Sequence, residues 1–321
     1  MRRLERLLGL SRGYIRAAAA LADGSYSPFE KISRPRPFQR NPAPPKRRRI
    51  DNPSTELKKV QSLIARRLLM PISLPSHICG GIKGKRVLDN VTLHRNSRVL
   101  LKIDIKRFFP SITNEHVYAV WCDLLNCSPR ISDLLTKLTT FERHLPQGAP
   151  SSTMLANLVL YSCDAAIRNE CRLRNIQYSS WIDDLAFSSG DPRPVISVVI
   201  RVLREHGFHI SRKKLEIVGP GARKILNGVV LGHGFGVPPD RLSRIRSAIH
   251  KLQEGHVPPA EIESYVRSLR GSIAQITSIS GKKAECLGKD LEAAYKKNGV
   301  LVTSVASRGI RTNNSEFESV S

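Results

Sequence analysis

The sequence predicts an α+β protein, with short strands among helices over most of the chain and helices alone near its end. Two apolar, β-rich stretches, within residues 98–112 and 178–189, have the composition of buried strands. Apolar residues also recur at helical spacing over residues 55–69, and again from Arg241 to about Lys297. These periodicities predict a region that contains a sheet, followed by a helical region.

Local signals predict the remaining elements. Residues 1–24 contain a basic helix or two that end at Gly24. Residues 33–49 are basic and rich in Pro, which predicts an extended arm or loop. Further helices are predicted at residues 114–142, 155–171 and 193–206. The last of these is followed by a predicted strand, FHISRKKLEIV, at residues 208–218.

The balance of charge favours a nucleic-acid partner. The chain has 52 Lys and Arg against 27 Asp and Glu, a net charge of +25, and such a field attracts polyanions. A membrane surface is also anionic, but no segment approaches the ~20 apolar residues of a transmembrane helix. No signal-peptide pattern follows the short run RAAAALA. The cysteines lack paired CxxC spacing, so neither zinc nor disulfides are expected, which fits a reducing cytoplasm.

The stretch YSSWIDDLAFSS, residues 178–189, contains the first candidate site. Two predicted strands flank the adjacent carboxylates Asp183 and Asp184, which we expect at the tip of a hairpin. Asp-Asp is a poor hairpin turn by propensity, and neighbouring carboxylates repel each other unless a cation lies between them. The pair alone is compatible with a surface turn or with a metal site, and the broken local rule is a pointer to function.

A third carboxylate, Asp104, lies inside the apolar stretch from Val99 to Ile105. A buried lone Asp is costly unless it is paired or bound to a metal. Asp104 is either satisfied by a neighbouring Lys or backbone group, or it meets Asp183 and Asp184 on an adjacent strand. In the second case, three clustered carboxylates suit Mg²⁺. Two such ions could clamp the attacking and leaving oxygens of a phosphoryl transfer.

The segment between these acids carries the most specific motif. Residues 144–160, HLPQGAPSSTMLANLVL, join a Gly-Pro-rich loop to an apolar helix pattern. The order IDIKRFFPSI, LPQGAPSS with LAN, and then an Asp-Asp pair resembles the palm of reverse transcriptases, and more narrowly that of bacterial retron reverse transcriptases. RRRIDNPSTELKKVQ at residues 47–61 looks like a fingers signature of that family, and Asn90 to His94 looks like an altered NAxxH motif. The resemblance covers about residues 25–295.

The resemblance implies a right-hand polymerase fold with fingers, palm and a helical thumb. The implied regions are an N-terminal helical segment (1–24), fingers (25–98, with the basic loop 33–49), a palm (99–235, with finger helices 114–142), a thumb (236–298) and a disordered tail (299–321). The loop 33–49 is either a solvated linker or part of the fingers over the template. The second is favoured because its final RRR opens the fingers signature.

The resemblance also implies roles for individual residues. Asp104, Asp183 and Asp184 would hold two Mg²⁺ ions, with Asp184 the least strict ligand. Candidates for binding the incoming dNTP are Arg49, Phe109, Gln147, Gly148 and Lys214, with Lys46, Arg47, Arg48 and Lys213 as competitors for its phosphates. Candidates for binding RNA or DNA are Arg47, Arg48, Asn90, His94, Asn227, Arg241 and Arg244. Phe109 would exclude a ribose 2′-OH; the alternatives are core packing for Phe109 and a structural role for His94.

The implied activity is RNA-directed DNA synthesis, in which a primer hydroxyl attacks the α-phosphate of a dNTP. Retron enzymes start from a 2′-OH of a folded non-coding RNA of msr–msd type and copy part of it into single-stranded DNA. The product is a branched RNA–DNA molecule (msDNA) that acts in anti-phage defence. We therefore expect this RNA, its cDNA and dNTPs as partners of a cytoplasmic protein without membrane association. Because the chain has no obvious fused effector, a separate effector protein is expected.

Departures from the family pattern leave alternatives open. Trp181-Ile182 replaces the usual Tyr-Ala before the acidic pair, and the larger Ile182 could alter speed or fidelity. Leu226-Asn227-Gly228 replaces a Val-Thr-Gly that is associated with RNA recognition. One alternative is another bacterial defence or intron-type reverse transcriptase without a branched product. The other is a catalytically idle RNA-binding scaffold, against which the retention of all three acids argues.

Overall fold

The computed structural model describes residues 1–32, 45 and 47–309, with side chains described as far as residue 297. Over these residues the chain divides into two compact units. The first unit ends at Leu226 and the second begins at Asn227. Among the described residues, no helix is long and apolar enough to cross a membrane.

The N-terminal helices begin and end at capping residues. They are α1 (Arg2–Leu8), α2 (Arg12–Ala20) and α3 (Thr55–Ile64). α1 ends at Gly9, whose backbone is left-handed with a φ of 64°. The side-chain oxygens of Ser11 and Ser54 accept hydrogen bonds from the first turns of α2 and α3. One face of α3, including Val60 and Ile64, is buried, as its predicted amphipathic pattern requires.

An antiparallel hairpin apart from the main sheet is formed by β1 (Tyr26–Ile32) and β2 (Arg47–Pro53). The sequence assigned Arg47–Arg49 to the loop 33–49, but these three residues belong to β2. They form a strand because β1 supplies hydrogen-bonding partners for their backbone groups. The sequence did not indicate this strand, because an arginine run carries no apolar periodicity. The rest of that predicted loop, residues 33–44 and 46, lies outside the described residues.

The central sheet of the first unit has four strands in the order β4-β5-β3-β6, with antiparallel neighbours throughout. The strands are β3 (Val99–Asp104), β4 (Gln177–Trp181), β5 (Asp184–Ser189) and β6 (Glu216–Val218). Phe187 lies between Leu101 and Tyr178 in the register, and its ring stacks on that of Tyr178 with centroids 5.0 Å apart. Antiparallel sheets mixed with helices form the predicted α+β arrangement.

The remaining helices of the first unit supply the rest of its core. They are α4 (Val87–Thr92), α5 (Phe108–Ser111), α6 (Asn114–Ala119), α7 (Pro129–Thr139), α8 (Ser152–Leu173) and α9 (Val195–Glu205). α8 packs against α9 and β4. Trp121, Phe187 and Phe208 are among the largest fully buried side chains. The predicted helix at 114–142 is interrupted, because a wider helical turn at Val120–Leu124 and a short connection separate α6 from α7.

The predicted strand at residues 208–218 forms only at its end. Arg212–Lys214 make a 3₁₀ turn, Ile210 forms an isolated bridge with Ile105, and β6 is the part of the segment that pairs with β3 as a strand. The backbone N–H of Ser211 donates a hydrogen bond to the carbonyl oxygen of Asp104 at 2.7 Å. The chain therefore bends at the end of β3 and brings a basic turn to that point.

The second unit is mainly helical. The first unit closes with β7 (Lys224–Leu226), and the second contains β8 (Val229–Leu231), α10 (Pro239–Gln253), α11 (Ile262–Thr277) and α12 (Gly281–Gly309). The three helices pack on one another in every pairwise combination. Their shared core includes Ile245, Ile249, Val266 and Leu269, residues that stand at the helical spacing noted in the sequence.

α12 also continues through residues 299–309, which the sequence assigned to a disordered tail. The stretch VLVTSVAS within it is rich in apolar residues, whereas disordered tails are typically polar. The remainder of the predicted tail, residues 310–321, lies outside the described residues.

Candidate active site

Three carboxylates meet at one end of the central sheet. Asp104 is the last residue of β3, and its partner in the register is Asp184, the first residue of β5. Asp183 lies in the adjoining turn, where its carbonyl oxygen accepts a hydrogen bond from the backbone N–H of Ile105 at 3.0 Å. Residues opposite each other in an antiparallel pair carry their side chains on the same face. The fold therefore brings together the three acids that the sequence singled out.

The hairpin tip is formed by Ile182 and Asp183, not by the Asp-Asp pair that the sequence predicted there. Trp181 pairs with Asp184, so Asp184 is already a strand residue. Ile182 has a φ of 62°, and a positive φ at the first turn position alone is the pattern of a type II′ turn. A β-branched residue rarely adopts this conformation, and such strain costs about 1–3 kcal/mol. The surrounding packing must therefore impose it.

Burial and repulsion from neighbouring acids raise the pKa of Asp183 and Asp184. Partial burial of the carboxylate, followed by the charges of Asp183 and Asp104, raises the pKa of Asp184 to about 6. Burial and then the charge of Asp104 also raise the pKa of Asp183, while Lys214 and Arg48 act in the opposite direction. Nζ of Lys214 donates a hydrogen bond to Oδ2 of Asp104 at 2.5 Å. For Asp183 and Asp184, burial and repulsion between the acids thus outweigh the opposing effect of the nearby cations.

The donor atoms at this end of the sheet fit a hard divalent cation. Carboxylate oxygens are the ligands that such ions prefer, and an added cation would offset the repulsion that raises the pKa of Asp183 and Asp184. Lys214 already neutralises Asp104. In the ranges that the structure describes, no three His, Cys, Asp or Glu side chains form a finished ligand set. The residues therefore supply ligand atoms rather than a preformed metal centre.

A cleft of about 810 Å³ opens onto Asp104 and Asp183. It is bordered by β2, by α5 and by the loop before α8. The predicted site residues along its walls are Arg47, Arg48, Arg49, Asp104, Phe109, Gln147, Asp183 and Lys214. One concave surface thus combines acids, basic groups and an aromatic ring, which is the composition expected of a site for a charged ligand.

The arginines of β2 have different partners within this cleft. Nε of Arg49 donates a hydrogen bond to Oδ1 of Asp51 at 2.8 Å, and Nη2 donates another to Oε2 of Glu142 at 2.7 Å. Arg48 is the arginine whose positive charge lowers the pKa of Asp183. Sequence reasoning favoured Arg49 for the phosphates of a nucleotide, but its guanidinium is held in ion pairs, whereas the charge of Arg48 acts on Asp183.

The loop before α8 is fastened to β2 through Asp51, which sequence reasoning missed. Asp51 is only 2 % exposed. Its Oδ2 accepts a hydrogen bond from the backbone N–H of Gln147 at 3.2 Å, and its own N–H donates to the carbonyl of Gln147 at 3.0 Å. Gly148 has a φ of 131°, and a Cβ there would lie 2.9 Å from Cγ2 of Ile50, so this close approach requires glycine. The sequence did contain a signal for Asp51, namely an acid within a strand. A buried acid needs partners, so such a residue is expected to hold another segment.

Comparison with known proteins identifies the family. Residues 39–233 match the family described as "Reverse transcriptase (RNA-dependent DNA polymerase)". The chain belongs to this family. It is a retron-type reverse transcriptase, an RNA-directed DNA polymerase, and family membership implies the right-hand polymerase fold and the use of divalent metal ions.

Several curated relatives support the narrower assignment. The chain is 33% identical over 260 residues to "Retron Ec86 reverse transcriptase" of Escherichia coli, covering 79% of this chain and 80% of that protein. It is 28% identical over 264 residues to "Retron Mx65 reverse transcriptase" of Myxococcus xanthus, covering 75% and 60%. It is also 28% identical over 178 residues to "Retron Se72 reverse transcriptase" of Salmonella heidelberg, covering 54% and 47%.

Within this reverse transcriptase, two adjacent phenylalanines on α5 have different environments. Phe108 is 3 % exposed and packs edge-on against Phe208, with ring centroids 5.6 Å apart. Phe109 is half-buried and lines the cleft. Phe108 is therefore a core residue, and Phe109 is the one whose ring is accessible from the cleft.

Asn90 and His94 lie in the protein interior, and their burial argues against the RNA contact that the sequence predicted for both. Their exposed fractions are 1 % and 0 %. The ring nitrogens of His94 hydrogen-bond to Oγ of Ser188 on β5 and Oγ of Ser179 on β4, each at 2.7 Å. Burial lowers the pKa of His94 to about 4, so the ring is neutral at neutral pH. His94 therefore joins the segment after α4 to two strands of the reverse transcriptase. This is the structural role that the sequence offered as the alternative to RNA contact.

Three further predicted RNA contacts, Asn227, Arg241 and Arg244, belong to the second unit of the reverse transcriptase. Asn227 and Gly228 have φ values of 47° and 76°, so this pair forms a turn. On α10, Arg241 donates a hydrogen bond to Oε1 of Gln275 on α11 at 2.8 Å. Arg244 is half-buried. Arg241 therefore contributes to the packing of two helices in addition to its charge.

Proposed function

We propose that this reverse transcriptase copies part of a structured non-coding RNA into single-stranded DNA, with Asp104, Asp183 and Asp184 as its catalytic acids. The observation that carries the proposal is the opposition of Asp104 and Asp184 across β3 and β5, with Asp183 in the adjoining turn. The raised pKa values of Asp183 and Asp184 support a site that requires additional positive charge.

The proposed cofactor is a pair of Mg²⁺ ions held by these carboxylates, with Asp184 as the least strict ligand. When bound, the ions supply Lewis-acid stabilisation of charge on the phosphoryl oxygens. The contribution of the chain is to hold the acids at the ends of buried strands, so that their positions need little adjustment. Lys214, whose Nζ already lies at Asp104, is the proposed partner of the departing pyrophosphate.

The remaining cleft residues are assigned to the incoming dNTP. Phe109 excludes a ribose 2′-OH by contact, because its half-buried ring lines the cleft beside the acids. Gln147 and Gly148 contact the nucleotide and template through a loop that is fixed to β2. Arg48 attracts the triphosphate, since guanidinium groups can bind phosphate oxygens in pairs, and Arg49 does so once released from its ion pairs with Asp51 and Glu142.

The larger assignments follow the family. We assign the fingers to residues 25–98, the palm to 99–235 and the thumb to 236–298, although the second compact unit begins earlier, at Asn227. The net charge of +25 supports RNA and DNA binding over a wide surface. Arg47, Arg48, Asn227, Arg241 and Arg244 remain the proposed contacts to nucleic acid.

The proposed product is a branched RNA–DNA molecule, started from a 2′-OH of an RNA of msr–msd type. Similarity to "Retron Ec86 reverse transcriptase" over 80% of its length supports this reading. By the same reasoning we propose a role in anti-phage defence, in the cytoplasm, with a separate effector protein as partner. The alternative is a reverse transcriptase without a branched product, which the altered Leu226-Asn227-Gly228 keeps open.

Sequencing of nucleic acid that co-purifies with the expressed protein tests the proposal. We expect one structured RNA covalently joined to DNA complementary to part of it, with a junction that resists alkaline cleavage at the 2′-OH. The same preparation of Asp183→Asn should contain the RNA without DNA. DNA without attached RNA in the unaltered protein would favour the alternative, and DNA in the Asp183→Asn preparation would refute the catalytic assignment.

A further inference from the structure

A segment with two glycines lies against the turn that carries Asp183. Residues 77–82, HICGGI, run alongside β4, and their backbone makes two hydrogen bonds of 2.9 Å with Ser180. Because β4 is an edge strand of the central sheet, this segment covers the sheet edge up to the hairpin tip. Within this segment, Gly80 and Gly81 lie against Ile182.

Gly80 leaves no room for a side chain. A Cβ at this position would overlap the backbone nitrogen of Ile182, and would lie 2.7 Å from Cγ1 of Ile182 and 2.7 Å from the carbonyl carbon of Trp181. Two of these three atoms belong to the backbone of the turn. A side chain at position 80 could therefore be accommodated only if the turn itself moved, because close-packed interiors offer no spare volume.

Helix α8 holds the two glycines from another side. Nδ2 of Asn157, a residue that is 1 % exposed, donates a hydrogen bond to the carbonyl oxygen of Gly80 at 2.8 Å. Gly81 has a left-handed φ of 70°, and a Cβ there would overlap Cγ2 of Thr153. Thr153 and Asn157 are four residues apart and so lie on one face of α8. The glycines are thus fixed between this helix face and the turn.

We propose that Gly80 and Gly81, fastened to α8 by Asn157, form a seat for Ile182 that sets the direction of the acidic pair after it. Ile182 has a φ of 62°, a conformation that a β-branched residue keeps only when its surroundings impose it. The seat, defined as Gly80 and Gly81, imposes it by closing the space beside the backbone of the turn. The inference rests on the proposed catalytic role of the acids, and it makes the seat residues and Asn157 positioning residues.

The decisive variant is Gly80→Ala. Displacement of the turn should lower kcat for DNA synthesis about 100-fold, since misplacement of catalytic groups by about 1 Å has effects of this size. The KM for dNTP and the Kd for RNA should stay within about threefold, because neither is set by the acids alone. Single-turnover primer extension, RNA binding and thermal unfolding measure these quantities.

Gly84→Ala is the matched control. Gly84 lies two residues after this segment and also has a positive φ, of 84°, but a Cβ there would meet nothing within 4 Å. This variant carries the backbone cost of replacing a left-handed glycine without the collision. Its kcat should remain within about threefold of that of the unaltered protein.

The outcomes separate the seat from the proposed function. Normal kcat in Gly80→Ala beside an inactive Asp183→Asn would overturn the seat and leave the role of the acids intact. An active Asp183→Asn would instead overturn the proposed function. If Gly80→Ala fails to fold, two other variants test the seat: Gly81→Ala alone, and Gly81→Ala combined with Thr153→Ser. Serine lacks the methyl group that a Cβ at position 81 would overlap, so the double variant removes this collision. Partial recovery of kcat in the double variant supports the seat, and equal kcat in both overturns it.

Discussion

Two polar clusters share the strands β4 and β5 and are built in opposite ways. His94, which bonds to Ser179 of β4 and Ser188 of β5, is fully buried, both of its ring nitrogens have hydroxyl partners, and burial keeps it neutral. At the strand ends, Asp183 and Asp184 remain only partly compensated, and their pKa values are raised. The difference teaches that complete satisfaction of a buried polar group indicates structure, whereas uncompensated charge indicates a place for a ligand.

Asp183→Asn should produce the largest change, and it affects activity alone. Loss of one acid should lower the rate of DNA synthesis on the order of 10³-fold or more, because several kcal/mol of charge stabilisation depend on the bound ions. Thermal stability should not fall, since a repelling charge is removed. Primer extension in excess enzyme measures the rate, and Asp191→Asn, at an exposed aspartate beyond β5, is the control.

His94→Ala should have the converse effect. It leaves Ser179 and Ser188 without their partner and opens a cavity, so we expect the free energy of unfolding to fall by about 3 kcal/mol. The rate of DNA synthesis per folded molecule should stay unchanged. Urea denaturation gives the stability, and His250→Ala, at an exposed position of α10, serves for comparison. A loss of catalytic rate without loss of stability would reverse the distinction drawn between the two clusters.

Acid should weaken the His94 cluster before pH reaches 4. The pKa of His94 is lowered to about 4 in the folded protein, against about 6.5 in the unfolded chain. Between these values the unfolded chain binds the proton and the folded protein does not, so the free energy of unfolding falls as pH decreases from about 6.5 to 4. The full effect is up to about 3 kcal/mol. Denaturation at several pH values measures it, and His94→Gln should remove this part of the slope.

Phe109→Val should produce the smallest change, and it concerns specificity. If the ring excludes a 2′-OH, discrimination against ribonucleotides should fall by about 10- to 100-fold, the range expected when a few methylene-sized groups leave a binding pocket. Phe108→Leu is the comparison, because Phe108 is buried and should change stability without changing sugar selectivity. Competition between dNTP and rNTP in primer extension gives the ratio. Equal selectivity in Phe109→Val and the unaltered protein would remove Phe109 from the nucleotide site.

Sequence reasoning located the acids but not the backbone that supports them. Asp104, Asp183 and Asp184 stood out because carboxylates interrupted apolar strand sequences, and the structure brings these three together. The hairpin tip at Ile182 was missed because propensity scales treat an isoleucine there as unsuitable, and only packing against Gly80 and Gly81 explains it. Whether a strand-end residue lies in the turn or the strand depends on register, which short-range sequence does not specify.

Basic and polar residues were harder to predict than acids or apolar faces. Arg47 and its two neighbours in β2 were placed in a loop, since strand pairing with β1 leaves no periodic signal in an arginine run. His94 and Asn90 belonged to a correctly noted motif, but the motif does not state whether its side chains face RNA or the interior. Asp51 was overlooked because its partners at Gln147 and His144 are more than ninety residues away in the chain.

The sequence by itself determined the α+β class, the family and the identity of the three acids, because these depend on residue type, order and local periodicity. The tertiary structure alone decided that Lys214 neutralises Asp104, that Arg49 is held by Asp51 and Glu142, and that His94 is buried. The reason is physical. A hydrogen bond, an ion pair or a collision with a Cβ depends on distances between residues far apart in the chain, and only the folded backbone sets those distances.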